Sequence, residues 1–389
     1  MSDLYLKRGV SAKKEDVHKA IANLSQGVYK NLFCKVFPDT LGGSDDYVNL
    51  MSSDGSGTKS IIAYLYWKET GDTSLFRGIG QDALVMNLDD MACVGAIDKF
   101  LFTSIINRNK NRIPGAIIKE IIDGTQEYID KLNDYGIEII YTGGETADVG
   151  DVVRTVSVDA SMVARMKKSD IIQTGNIKPG QIIVGLASYG NCIYENGYNA
   201  GMGSNGLTSA RHDLLSAHYK QYSESIEELV DPSVQYIGKN KLTDIVYNDL
   251  TLGKLILSPT MSYTPILKRI FEELGRDQLA SIVHCTGGAA SKVLHFIDKG
   301  RIVKDNYLPI PFLFNFIQDQ SQTDWKEMFQ VFNMGTRLEI YLENETIAQE
   351  MISISKLFGV DAQIMGQVEE SNIAEVIVKH SNSEYIYRK

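Results

Sequence analysis

The sequence predicts an α/β (α+β) fold in two halves, and three observations carry that expectation. Short strands rich in β-branched residues recur along the chain, each runs into a glycine-bearing polar loop, and helical periodicity occupies the intervals. A chain of 389 residues is long enough for two domains. Polar Lys167-Lys168-Ser169-Asp170 closes the first half, and the run from Gly175 to Gly180 reads as a turn before a fresh strand. The expected domains are therefore 1–170 and 171–389, packed together because no low-complexity linker separates them.

In chain order, the strand Tyr47–Ser52 leads into Asp54-Gly55-Ser56-Gly57-Thr58-Lys59. Gly80 to Gly95 reads as helix and carries Asp82, Asp89 and Asp90, seven and eight residues apart and so near one face. From Gly115 to Leu132, Ile118, Ile121, Ile122, Thr125, Tyr128, Ile129 and Leu132 recur at helical spacing. Gly136 stops that helix, and the strand Ile137–Tyr141 runs into Thr142-Gly143-Gly144-Glu145-Thr146. In the second half Gln181–Ala187 precedes Ser188-Tyr189-Gly190, Ser281–Cys285 precedes Thr286-Gly287-Gly288, and Arg337–Leu342 follows Asn333-Met334-Gly335.

Composition narrows the function. A net charge of −10 removes the broad basic footprint of a nucleic-acid binder, while a local positive pocket for a small anion remains open. The four cysteines, Cys34, Cys93, Cys192 and Cys285, form no Cys-x-x-Cys pair, so no zinc knuckle or redox motif is visible. No apolar run approaches a membrane span and the first residues show no signal core, which makes the cytoplasm the expected compartment.

The loops carry the chemistry. In Asp54–Lys59 two glycines let backbone N–H groups approach an anion, Thr58 offers a hydroxyl, Lys59 a point charge for phosphate, and Asp54 a hard oxygen for Mg²⁺. It is no Walker A loop, since Thr58 stands between Gly57 and Lys59, and alone it reads equally as a tight turn with solvated charges. Aspartates 82, 89 and 90 beside apolar Ala83, Met86 and Val94 are either separate surface acids or a cluster neutralised by a cation. Glu145, behind two glycines, would complete an oxygen-only shell with Asp54, Asp82 and Asp90. His284, just before Thr286-Gly287-Gly288, reads as a core histidine or as a residue that manages a proton. Gly201–Gly206 and Gly78–Ala83 imitate a dinucleotide fingerprint, but neither follows a buried strand.

The ordered series Asp54-Gly-x-Gly-Thr-Lys59, Gly80-x-Asp82, Asp90, Gly95-Ala96, Gly143-Gly-Glu-Thr146, Ser204-Asn205-Gly206, Ser258-Pro259-Thr260, His284-x-Thr-Gly-Gly288 and Phe332-Asn-Met-Gly335 resembles the aminoimidazole ribonucleotide synthetases over roughly residues 45 to 370. The resemblance implies a two-domain fold whose N-terminal halves join into a shared β-barrel in a homodimer. It implies ATP at Asp54, Gly55, Gly57, Thr58, Lys59, Gly143, Gly144, Glu145 and Thr146, with Mg²⁺ on Asp54, Asp82, Asp90 and Glu145. A ribonucleotide would meet Asn205, Gly206, Thr286, Gly287 and Gly288, with Lys59 and His284 as catalytic residues. The implied reaction phosphorylates a formamide oxygen from ATP, after which an amidine nitrogen closes the imidazole ring. The chain departs from the pattern at Asp89, where Asn is usual, at Gly203, where His is usual, at Ala289, in place of a third glycine, and by an insertion over 194–202. Two other readings remain: a sister enzyme acting on a different acceptor, and a nucleotide-binding paralogue without turnover.

Overall fold

A computed structural model describes residues 7–9, 20 and 23–389. The first sheet is built from β1 (Val36–Pro38), β2 (Tyr47–Gly55), β3 (Lys99–Arg108), β4 (Glu138–Asp148) and β5 (Val156–Lys167), in the order β1-β2-β5-β3-β4. Only β3 and β4 run parallel, and helix α3 (Gly115–Asp134) makes the crossover between them. Strict alternation along β3 and β5 sends Phe100, Phe102, Ile106, Val158, Ala160 and Met162 inward beneath α1 (Lys59–Thr70), α2 (Phe76–Ala92) and α3.

The opposite face of this sheet is open and partly apolar. Register places Met51, Val163, Leu101 and Ile140 in one lateral row across β2, β5, β3 and β4. Met51 is 62% exposed, Leu101 50% and Ile140 61%. A row of large apolar side chains left in water is a surface that gains by being covered.

The second sheet comprises β6 (Ile182–Ala187), β9 (Ser281–His284), β10 (Gly300–Lys304), β11 (Thr336–Leu342), β12 (Ala362–Glu369), β13 (Ala374–His380) and β14 (Ser383–Arg388), ordered β14-β13-β10-β12-β6-β11-β9. The short pair β7 (Ile245–Tyr247) and β8 (Leu250–Thr251) stands apart from it. Both faces of the central strands are buried, which is why β6 and β11 read as almost continuous apolar runs. Val184, Leu186, Ile340 and Leu342 pack with Ile266 and Ile270 of α6 (Thr264–Leu274) and Ala348 and Ile352 of α9 (Glu345–Leu357). On the other side Ile183, Val283 and Tyr341 join Phe314 of α7 (Phe312–Ser321) and Phe329 of α8 (Trp325–Val331). The remaining helices are α4 (Leu207–Leu214) and the single turn α5 (Leu252–Ile256). Each fully buried Leu, Ile or Phe contributes about 1.5–3 kcal/mol, so these two layers carry most of the fold.

Several elements run further than the sequence suggests. Strand β4 continues through Thr142–Thr146 instead of ending before it. A register shift between Phe102 and Ser104 of β3, with Gly143 at φ 92°, absorbs the irregularity and lets pairing resume. Asp54 and Gly55 likewise belong to β2.

Candidate functional site

Helix α2 is the axle between the halves. Almost every residue from Phe76 to Ala92 is buried, polar ones included, because one side meets the first sheet and the other the C-terminal half. Each of its aspartates has a separate protein partner. Asp82, fully buried, pairs with Lys59 Nζ at 2.8 Å and accepts from the Thr260 N–H at 2.7 Å and the Thr260 hydroxyl at 2.5 Å. Lys59 also donates to the Ser258 carbonyl at 2.5 Å. In this conformation the Lys59 ammonium is a bolt between the halves and does not face the glycine loop; burial pulls its pKa down, with Asp82 opposing.

Asp89 accepts from the Ser262 hydroxyl at 2.6 Å, the Tyr263 N–H at 3.1 Å and the Thr264 hydroxyl at 3.0 Å. A side chain of the first half thus satisfies the start of α6 in the second. Burial pushes the Asp89 carboxyl above its usual range.

Asp90 keeps 24% of its side chain open and meets His284 Nδ1 at 2.9 Å. Burial pushes the Asp90 carboxyl up to about 7, an effect tempered by its open edge, while Lys292 opposes it. Burial also drives His284 down to about 3, so its ring is neutral. One proton lies between these two groups, and His284 Nε2, buried, has no hydrogen-bond partner among the described residues. Asp54 is near enough for its charge to bear on His284.

Glu145 does not join them. Asp54 aligns with Ala160, Ser104 and Gly144 across β2, β5, β3 and β4, which puts the neighbouring Glu145 three strand spacings away, about 14 Å. Among the described residues no group of three or more His, Cys, Asp or Glu is arranged to hold a metal ion. The expected shell of Asp54, Asp82, Asp90 and Glu145 therefore does not assemble within one chain, because Asp82 is committed to Lys59 and Glu145 sits on the edge strand. The glycine loops are open where an anion would approach: a Cβ at Gly57 or Gly143 would meet nothing within 4 Å, and Thr146, on the same strand as Gly143, is exposed. Thr58 reaches across to Thr208 at 2.7 Å, tying this loop to α4.

The second-half loops do meet. A Cβ on Gly287 would stand 3.8 Å from Asn205 Nδ2, so the Thr286–Gly288 turn faces the Asn205-Gly206 loop. Gly206, at φ 78°, lies against the Phe332 ring, and any Cβ there would come within 2.3 Å of it. Ala289 holds a left-handed φ of 41°, the strain expected where a glycine has been replaced. Behind this turn a buried ion pair, Lys304 with Glu339, is completed by donation from Lys304 Nζ to the Ala290 carbonyl at 2.7 Å.

Sequence reasoning missed two contributors. The insertion reaches into the junction: Tyr194 donates to the Ser262 carbonyl at 2.6 Å, and Glu195 accepts from Gln81 at 3.1 Å and Tyr128 at 2.8 Å. Burial pushes the Glu195 carboxyl up to about 7. Arg337, 3% exposed, lies in the same junction, and only its place beside Asn333-Met334-Gly335 hinted at it.

Residues 39–166 match the family model described as AIR synthase related protein, N-terminal domain. The chain is 28% identical over 350 residues to the phosphoribosylformylglycinamidine cyclo-ligase of Methanocaldococcus jannaschii, covering 88% of this chain and 86% of that protein. The same-named protein of Staphylococcus carnosus is 27% identical, over 85% and 83%. Among solved structures, that of the HypE–HypF complex matches with a TM-score of 0.56 at 15% identity, over 96% of this chain and 99% of that one. Thiamine monophosphate kinase from Aquifex aeolicus matches with a TM-score of 0.54 at 12% identity, over 95% and 96%. The chain thus has the fold of these solved structures, matches the AIR synthase related N-terminal domain over residues 39–166, and is similar to phosphoribosylformylglycinamidine cyclo-ligases over most of its length.

Proposed function

We propose that this chain is an ATP-dependent cyclo-ligase that converts formylglycinamidine ribonucleotide to aminoimidazole ribonucleotide in purine biosynthesis. The observation that carries the reading is the Asp90–His284 pair, set at the junction of the halves with an unpartnered Nε2. Likeness to the cyclo-ligases supplies the reaction class. ATP would bind along Asp54–Thr58 and Gly143–Thr146, and when bound it supplies the phosphoryl group that turns the formamide oxygen into a leaving group. Mg²⁺ is assigned no step, because the carboxylates expected to hold it are dispersed.

What remains for the protein is alignment and one proton. A histidine held near pKa 3 is a weak base at neutral pH, so His284 orients rather than deprotonates. If Asp90 holds the shared proton it donates to Nδ1, and Nε2 presents N–H; if Asp90 is ionised, Nδ1 donates and Nε2 presents a lone pair. Either state aims one directional hydrogen bond at the attacking amidine or the departing oxygen. Asn205, Gly206, Thr286, Gly287 and Gly288 would hold the ribonucleotide. The open row Met51–Val163–Leu101–Ile140 supports a homodimer closed through the first sheets. No described helix is long and apolar enough to cross a membrane, and the relatives' reaction fits a cytoplasmic setting.

A second reading, a nucleotide-binding paralogue without turnover, is favoured by one observation: Lys59 is tied to Asp82 and Ser258. ADP release from Mg·ATP with and without formylglycinamidine ribonucleotide, alongside an assay for aminoimidazole ribonucleotide, separates the two. Stoichiometric ADP and aminoimidazole product are expected. ATP binding without turnover would favour the paralogue, and turnover with a different acceptor would move the chain to a sister family.

A further inference from the structure

Lys304 and Glu339 form a buried ion pair that the proposed chemistry leaves unused: Lys304 is 0% exposed and Glu339 1%. An ion pair in a core carries a desolvation penalty that apolar residues of similar size avoid, so stability alone does not account for it. Its contacts point to a different role. Glu339 accepts from the Tyr341 hydroxyl at 2.7 Å on one oxygen and from Lys304 on the other. Lys304 Nζ then donates to the Ala290 carbonyl at 2.7 Å.

Strand register shows which part of the site the pair serves. β11 carries a bulge at Arg337, since Thr336 pairs with Ala187 and Leu338 with Leu186. Beyond the bulge Leu338 lies opposite His284 and Glu339 opposite Val283. Alternation therefore turns His284 towards Asp90 of α2, and puts Val283 and Cys285 on the face of Glu339 and Tyr341. Cys285 extends the pairing by one residue, its N–H donating to the Arg337 carbonyl at 2.7 Å. Burial pushes the Cys285 thiol well above its usual range, and the neighbouring Glu339 charge adds to the effect. One ion pair thus underlies both ends of the Thr286–Gly288 turn: Glu339 beside Cys285, where the chain enters, and Lys304 on Ala290, where it leaves.

A second, independent feature explains why the exit needs holding. Gly288 and Ala289 are both left-handed, at φ 94° and 41°. Glycine adopts that conformation freely, but an alanine Cβ crowds the backbone there, and such a residue persists only where its surroundings over-determine it. Within the turn, the Ala289 N–H is tied to the Thr286 carbonyl at 2.8 Å. From outside, the Lys304 bond falls on the residue immediately after the strained one.

We infer that Lys304 and Glu339 are positioning residues for substrate: the pair clamps both ends of the Thr286–Gly288 turn, holds Ala289 left-handed, and so presents the turn to the Asn205 loop in binding geometry. The tip between the clamped ends stays free to move as substrate enters. That this turn meets the ribonucleotide rests on the proposed cyclo-ligase reading; the clamp on its ends does not.

The test uses the double variant Lys304→Met/Glu339→Leu, which removes both charges and keeps the core filled, and a triple variant that adds Ala289→Gly. Glycine needs no clamp at positive φ, so the triple variant separates a lost clamp from a loosened core. Lys304→Met/Glu339→Gln keeps an acceptor for Tyr341 and takes the place of the first pair if that one does not fold. Two measurements are made on the full chain: hydrogen exchange of the segment Ala289–Val293 by mass spectrometry, and steady-state kinetics with Mg·ATP and formylglycinamidine ribonucleotide. The double variant should exchange that segment about 10-fold faster than the parent, the equivalent of one net hydrogen bond. KM for the ribonucleotide should rise by a similar factor while kcat stays within about 2-fold, because His284 lies on the other face. Ala289→Gly should bring exchange and KM back to within about 3-fold of the parent. Unchanged exchange in the double variant overturns the clamp, and so does faster exchange that Ala289→Gly fails to reverse. Faster exchange with an unchanged KM, in a parent chain that closes the imidazole ring, overturns the substrate role and leaves the cyclo-ligase reading standing. A parent chain that closes no ring, with exchange responding as expected, overturns that reading and leaves the clamp standing.

Discussion

Asp89 and Ser262 meet at 2.6 Å across the junction, and the same carboxylate also receives the Tyr263 N–H and the Thr264 hydroxyl. All three donors reach Oδ1, the Tyr263 N–H at 3.2 Å, so an amide oxygen in its place could accept them. Asp89→Asn should therefore cost no more than about 1 kcal/mol, whereas Asp89→Ala orphans a buried helix start and should cost about 3 kcal/mol or more. Urea unfolding of the two variants checks this, and equal destabilisation would show that the charge, not the acceptor geometry, matters.

Glu195 gives the junction a pH dependence. Its carboxyl is pushed up to about 7 from an ordinary value of 4.5. Between those values the folded chain holds a proton that the unfolded chain has released, so stability is full below about 4.5, falls as pH rises to about 7, and is flat beyond. Lys131, Arg337 and Lys59 face it and limit the loss. Glu195→Gln should flatten this slope and gain on the order of 1–2 kcal/mol at pH 8, allowing for partial exposure. Parallel stability–pH curves for parent and variant would refute the assignment.

The buried Lys304–Glu339 pair predicts strong non-additivity. Glu339→Leu alone leaves an ammonium stranded in the core and should cost about 3–5 kcal/mol. Adding Lys304→Met should recover most of that loss, and a double-mutant cycle measures how much. Simple additivity would mean that the two groups do not depend on each other.

On the open sheet, Leu101→Glu places a charge in the middle of the apolar row. Sedimentation should show an assembly for the parent chain and a folded monomer for the variant. A parent chain that sediments as a monomer would leave that face without the proposed partner.

The sequence made the helix from Gly115 and most strand cores legible, because α3 and the strands of both sheets bury one regular face or two apolar ones. It misplaced the ends of β2 and β4: glycine-rich polar runs read as loops, yet here they stay paired, with Gly144 too close to Ser104 for any Cβ. At the site, the facing of Asn205 and Gly287 follows the order of the motifs. The separation of the aspartates does not, since helical spacing gives a shared face but not the donors that the other half brings to it. Ser258, Thr260 and Ser262 decide where Asp82 and Asp89 go, and they lie more than 170 residues away. Glu195 and Arg337 were hidden for a similar reason: an insertion and a bulge have no period to betray them.

The commitments of α2 also constrain motion. Asp82, Asp89 and Asp90 each grip a different segment of the second half, at Thr260, at Ser262–Thr264 and at His284. Swinging the halves apart would break all three at once, at about 1.5–3 kcal/mol for each charged contact. The halves should therefore travel as one rigid body on the timescale of turnover, with substrates admitted by movement of the loops at Asp54–Thr58, Gly203–Gly206 and Thr286–Gly288. Slow, cooperative amide exchange along α2, together with fast exchange in those three loops, is the signature of a molecule that breathes at its rim and not at its waist.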